Sequence, residues 1–251
     1  MSEREPTLKH VPTRSIKERW GRLIALISLV AIALGSFNDS TDALEKIYSF
    51  SLSQFTDIPS QNKLDKVYVR ASAQVLDTTL GAPVYVKRSE SGNVIRYYQD
   101  KRFILSAVIK DDAIAAYLVF PTQGFMPNTS KSAGGDDLLS TPFSDQEGVT
   151  DLRAALSRMI TYYIEENTAG DFSNLYTSVS GYSDFEGSLT DQQRTQLTTL
   201  TDNLMMGEDV TQAAQDLRHS LTPNFYGYST LGLSELEDSI LTRTEFRLIQ
   251  P

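Results

Sequence analysis

The chain is predicted to be an α+β protein, with an N-terminal transmembrane helix followed by an antiparallel sheet meander packed with helices. Three observations lead there. An uncharged apolar run, Leu23 to Phe37, separates a basic tail from an acidic body. Four short alternating segments then follow between Val84 and Phe120, joined by links of two to five residues, too short for the helical crossovers of a parallel sheet. Stretches of helical period, with caps and stops, lie on either side of them.

Residues 1–22 carry six basic side chains (Arg4, Lys9, Arg14, Lys17, Arg19, Arg22) against Glu3, Glu5 and Glu18, so this tail is +3 and the remainder −12 within a total of −9. The fifteen residues from Leu23 to Phe37 include nine large apolar side chains. Together these favour insertion into a bilayer by about 3 to 5 kcal/mol. The run is shorter than the roughly 20 residues that span a bilayer, a mismatch that Trp20 and Arg22 at its edge and local thinning can cover. Basic residues crowd one flank, which places 1–22 in the cytoplasm and the body across the membrane. A cleaved secretory signal is a competing reading, with Ala33 and Gly35 before the cut, and a buried core helix a third. The uncut single-pass anchor is preferred because Asp39 to Phe50 continues with helical spacing, making 23–50 the transmembrane helix and its amphipathic extension.

Ser51 to Asn62 reads as a linker, and 63–251 as one soluble α+β domain. Leu64, Val67, Tyr68, Ala71, Val75 and Leu76 recur at helical spacing until Gly81 and Pro83 stop them. Strands are expected at Val84–Arg88, Val94–Gln99, Phe103–Lys110 and Ala113–Phe120, with Asp111 and Asp112 at a tight turn. Pro121 to Gly148 is expected to be a surface excursion or binding loop. A helix is expected through Leu152, Ala155, Leu156, Met159, Ile160 and Tyr163, opened by a capping box at Ser144 and Glu147. Phe172, Tyr176, Tyr182 and Phe185 then fall among small polar residues in no regular pattern. Helices are expected near Thr190–Met206 and Asp209–Leu221, ended by Gly207 and Pro223. The final segment Leu241–Ile249 reads as a returning strand, with a helix from Ser234 to Ser239 as the other option.

Composition excludes several chemistries. There is no cysteine, hence no disulfide, thiolate metal site or thiol nucleophile. His10 lies in the tail, and His219 is alone in the body on the polar side of a helix, so neither a two-imidazole site nor a Ser-His-Asp triad is supported. Asp136 and Asp137 after Gly134 and Gly135 lack EF-hand spacing. Glycine-rich phosphate loops are absent. An acidic body is unsuited to nucleic acid. No metal or cofactor is expected. Glu165 and Glu166, with Asp171, Asp184 and Glu186, offer the carboxylates a glycan hydrolase would need.

Four phrases carry a resemblance: YYQDKRFILSAVIKDDAIAAYLVF, FMPN at Phe125 to Asn128, YYIEENTAGDFSNLYTSVSG, and PNFYGY at Pro223 to Tyr228. In these the chain resembles an uncharacterised family of bacterial single-helix membrane-anchored proteins with a soluble α+β domain. The resemblance implies a bacterial origin and membrane attachment, here to the inner membrane, and it brings no catalytic residues to carry over. The expectation is a non-enzymatic binding domain outside the cytoplasm, with the bilayer engaged through Leu23 to Phe37 and a protein or ligand partner met by Phe125, Asn128, Phe172, Tyr176, Tyr182 and Phe185. A carboxylate hydrolase and a membrane effector of a defence or stress system are the other options.

Overall fold

The meander expected from the alternation is present in a computed structural model, which describes residues 57–122, 124–169, 173–185 and 187–249. The tail, the apolar run and its extension lie outside the described residues, as does Phe172. Among the described residues no helix is long and apolar enough to cross a membrane.

Two short helices come first, α1 (Ile58–Leu64) and α2 (Gln74–Leu80). The single helix expected from Leu64 to Leu76 is thus broken, and α1 occupies part of the expected linker. The break has a cause: Arg70 N–H donates to Ile114 O at 2.7 Å and Ile114 N–H to Ala71 O at 2.8 Å, with Arg70 in the left-handed region at φ 71°. Sheet pairing takes the backbone groups that a continuous helix would use.

β1 (Tyr85–Arg88), β2 (Val94–Gln99), β3 (Phe103–Lys110) and β4 (Ala113–Pro121) pair antiparallel in sequence order. Asp111 and Asp112, at φ 51° and 60°, make the β3–β4 turn. Two consecutive positive φ values are what a type I′ hairpin needs, and Asp tolerates them better than most residues.

A second meander follows: β5 (Val149–Leu156), β6 (Thr161–Asn167) and β7 (Thr177–Ser183). It replaces the helix expected through Leu152 and Tyr163. Ser157 N–H donates to Ile160 O at 2.9 Å, closing a hairpin whose link mimics one helical turn in spacing. Thr161, Tyr162, Tyr163 and Ile164 are β-branched or aromatic and pack well on a pleated surface. Ser144 lies in a 3-10 turn, Phe143–Asp145, and not at a helix start.

The helices α3 (Asp191–Met206) and α4 (Thr211–Ser220) agree with expectation. Thr190 and Gln193 form a reciprocal capping box, and Gly207 closes α3 in the left-handed conformation. β8 (Phe225–Ser229) inserts between β4 and β7, giving one eight-stranded antiparallel sheet of order β1-β2-β3-β4-β8-β7-β6-β5. The chain ends in α5 (Leu233–Leu236), a 3-10 turn Glu237–Ser239, and α6 (Arg243–Ile249). The strand expected at Leu241–Ile249 is therefore a helix. Leu241, Phe246 and Ile249 pack beneath it on one side of the sheet, at spacings a strand could not present together.

Both faces of the sheet are covered. Leu64, Val67, Ala71 and Leu76 pack on Leu105, Ala107, Tyr117 and Tyr226. On the same face α3 and α4 cover Tyr163 and Tyr182 through Leu197, Leu200 and Leu217. The opposite face holds Ile104, Leu118, Ile164 and Phe225 under Leu233, Leu236 and Ile249. The seam between the meanders needs glycine. A Cβ on Gly227 would stand 2.1 Å from Tyr117 O, and one on Gly181 would stand 1.9 Å from the Phe225 ring.

The excursion from Pro121 to Gly148 is anchored rather than free. Phe125, Leu138 and Phe143 are buried, and so are Thr129, Ser132 and Gln146.

Candidate functional site

Strand β8 has the alternation Phe225, Tyr226, Gly227, Tyr228, which turns both tyrosines to one face. Tyr117 lies opposite Tyr228 on β4, with ring centroids 5.6 Å apart at 61°. Tyr176 approaches Tyr228 at 5.2 Å and 71°, and Tyr226 approaches it at 6.1 Å and 82°. These are edge-to-face contacts, the arrangement that ring quadrupoles favour. With Tyr68 they border a cavity of about 300 Å³. Asn128 and Lys131 from the long loop, and Gln61 and Asp65 from the α1 side, complete its polar border.

The hydroxyls of the cavity wall can be accounted for singly. Tyr117 OH donates to Val67 O at 3.2 Å, and Tyr228 OH meets Ser132 Oγ at 3.0 Å. Tyr226 is 3% exposed and lines the same cavity. Burial raises the Tyr226 pKa, with the Tyr228 phenol and the Asp65 carboxylate adding to the effect. Tyr117 is raised well above its ordinary value by burial first and then by the Tyr226, Tyr228 and Tyr176 phenols and the Asp65 carboxylate, and Tyr228 is pushed up to about 12, chiefly by burial. All three phenols stay neutral at physiological pH. At the mouth, Gln61 Nε2 donates to Asp65 Oδ1 at 2.8 Å while Gln61 Oε1 accepts from Asn128 N–H at 2.9 Å, tying α1 to the loop.

A polar row continues from the cavity across the same face. Tyr226 pairs with Ser180, and Ser180 with Glu165; Tyr228 pairs with Ser178, and Ser178 with Asn167. Glu165 is fully buried, accepts a hydrogen bond from Tyr163 OH, and lies 2.7 Å from Arg218 Nε. Arg218 also donates to the carbonyls of Phe143 and Gln146, each at 2.8 Å. Burial raises the Glu165 pKa, and Tyr163 and Arg218 offset only part of that. Glu165 Oε2, Asn167 Oδ1 and Gln146 Nε2 are buried and meet no hydrogen-bond partner among the described residues. Unsatisfied groups of this kind cost about 1 to 3 kcal/mol each.

The expected binding residues are dispersed. Asn128 and Tyr176 border the tyrosine cavity. Phe125 is core, stacked on Phe103 at 6.2 Å. Tyr182 lies under α3 and α4, and Phe185 stacks on Phe246 at 4.5 Å on the opposite face. Tyr68, Tyr117, Tyr226 and Tyr228 were not among the expected set, although the two tyrosines of β8 carry a period-two signal. Of the hydrolase carboxylates, Asp171 and Glu186 lie outside the described residues. Glu165 and Glu166 are neighbours on one strand and so face opposite sides of the sheet, and Asp184 pairs with Arg243. His219 is exposed at the end of α4. No group of three or more His, Asp or Glu among the described residues could hold a metal ion.

No protein-family model matches the chain, and no curated protein matches it. Among solved structures it is similar to an extracellular protein containing an SCP domain from Bacillus anthracis str. Ames, at 9% identity and a TM-score of 0.34, over 74% of this chain and 53% of that one. It is similar also to a cysteine-rich secretory protein from Staphylococcus aureus subsp. aureus Mu50, at 13% identity and a TM-score of 0.25, over 56% of this chain and 61% of that one. The chain spans little more than half the length of these two proteins.

Proposed function

We propose that the chain is a membrane-anchored, non-enzymatic binding protein of the bacterial envelope, held by Leu23 to Phe37 with its body outside the cytoplasm, and that its ligand enters the tyrosine cavity. One observation carries the reading: five tyrosines from four stretches of chain converge on a cavity of about 300 Å³, the lower end of the usual range for small-molecule sites. The apolar run and its charged flanks support the anchor, and the resemblance to single-helix anchored proteins agrees with it. Glu165 and Glu166 are consecutive on one strand and face apart, so these two do not form a paired carboxylate site.

The test has two arms. Full-length chain should remain with the membrane fraction after carbonate washing; recovery in the aqueous fraction with its N-terminus intact would overturn the anchor. A thermal-shift screen of the purified chain against polar small molecules should return ligands that raise the melting temperature by several degrees at saturation. Ser130→Trp, which fills the exposed mouth of the cavity, should abolish those shifts. Shifts that survive the substitution would move the site elsewhere.

A further inference from the structure

We infer that the ligand of the tyrosine cavity is a neutral saccharide, bound through one pyranose-sized unit; this rests on the cavity being the binding site. The rings decide against an organic cation. Tyr228 is surrounded edge-to-face by Tyr117, Tyr176 and Tyr226, so four of the five rings are already engaged in ring–ring contacts. What the wall offers is hydroxyl ends and amides. Tyr226, 3% exposed, brings a hydroxyl to the lining, and Tyr117 keeps acceptor capacity beyond its bond to Val67. Gln61 and Asn128 add planar amides at the mouth.

Such a wall selects groups that both donate and accept, which is what a ring of hydroxyls provides. Charge points the same way. The cavity border holds one carboxylate, Asp65, and one ammonium, Lys131, so neither sign is favoured. Size limits the rest. A cavity of about 300 Å³ has the liquid volume of about ten waters, enough for one sugar ring. A longer glycan would leave past Tyr68, a residue 60% exposed whose ring can lie against a sugar face.

The experiment is saturation-transfer NMR on the full-length chain in a polyoxyethylene detergent, since glycosidic detergents would compete. The probes are glucose, galactose, the N-acetylglucosamine disaccharide and tetramethylammonium. At least one sugar should show transfer, and Tyr226→Phe, which keeps the ring and removes the hydroxyl, should weaken its affinity about tenfold, the equivalent of 1.4 kcal/mol. Tyr98→Phe, which removes a hydroxyl bonded to Asp77 outside the cavity, serves as control and should leave affinity unchanged. Transfer to tetramethylammonium alone, sensitive to Ser130→Trp, would overturn the saccharide and leave the cavity standing as the site. No transfer to any probe, together with thermal-shift ligands indifferent to Ser130→Trp, would overturn both.

Discussion

Leu105, Ala107 and Ile109 on β3 lie on the same face of the sheet as Glu165 and Asn167 on β6, and all are buried, yet they are held by different physics. The β1–β4 half buries aliphatic side chains under the segment from Leu64 to Leu76. Burial of that kind is non-directional and tolerates adjustment. The β5–β8 half buries a carboxylate, two amides and serines, each bound to a particular partner. There the loss of one group leaves another stranded, because desolvation has already been incurred. The tyrosine cavity lies where the two regimes meet, at β4 and β8.

The largest expected effect tests that contrast at Arg218. Replacing it by Met strips the buried Glu165 of its cation and two carbonyls of a donor, and should cost about 3 kcal/mol or more by urea denaturation. Adding Glu165→Gln should recover part of the loss. A single variant as stable as the parent would show that the polar half is held by packing after all. Next in size is the seam. Gly227→Ala forces a methyl against the Tyr117 carbonyl and should cost about 1 to 3 kcal/mol. Gly207→Ala, where nothing stands within 4 Å, should cost only about 1 kcal/mol for its positive φ. Equal effects would mean that the close approach of β8 to β4 is not a constraint.

The smallest effect is in pH dependence, and the two halves should differ in sign. Burial works to raise the Asp100 pKa, but hydrogen bonds from Lys63, Ser60 and the Arg102 backbone outweigh it and hold it below 3.8. Its stabilisation is present above the unfolded value and is lost as pH falls through the folded one. Glu165 is raised above 4.5, so its contribution is full below the unfolded value and is lost as pH rises through the folded one. Glu165→Gln should therefore flatten the decline above pH 4.5, and Asp100→Asn the decline below pH 3.8. Exchange of these two outcomes would contradict the assigned environments.

The same contrast explains how legible each half is in the chain. Strands β1 to β4 alternate cleanly or run apolar between short polar links, and Asp111–Asp112 marks a turn. Strands β5 and β6 carry apolar residues on both faces around a four-residue turn, so their spacing imitates a helix through Leu152, Leu156 and Tyr163. Strand β8 is five residues long and finds both partners far away in sequence, on β4 and β7. Only Asn128 and Tyr176 of the cavity were anticipated; Tyr226 and Tyr228 reach it through pairings that no local pattern records.

The sequence by itself determined the α+β class, the first meander, and α3 and α4 with their caps, because each rests on contacts between residues close along the chain. It also determined the charge asymmetry about the apolar run. Tertiary structure alone decided that β8 joins two meanders into one sheet, that β5 and β6 are strands, and that Tyr68, Tyr117, Tyr176, Tyr226 and Tyr228 share a cavity. Those outcomes depend on which distant strands pair and in what register, and a one-residue slip would turn every one of those side chains to the opposite face.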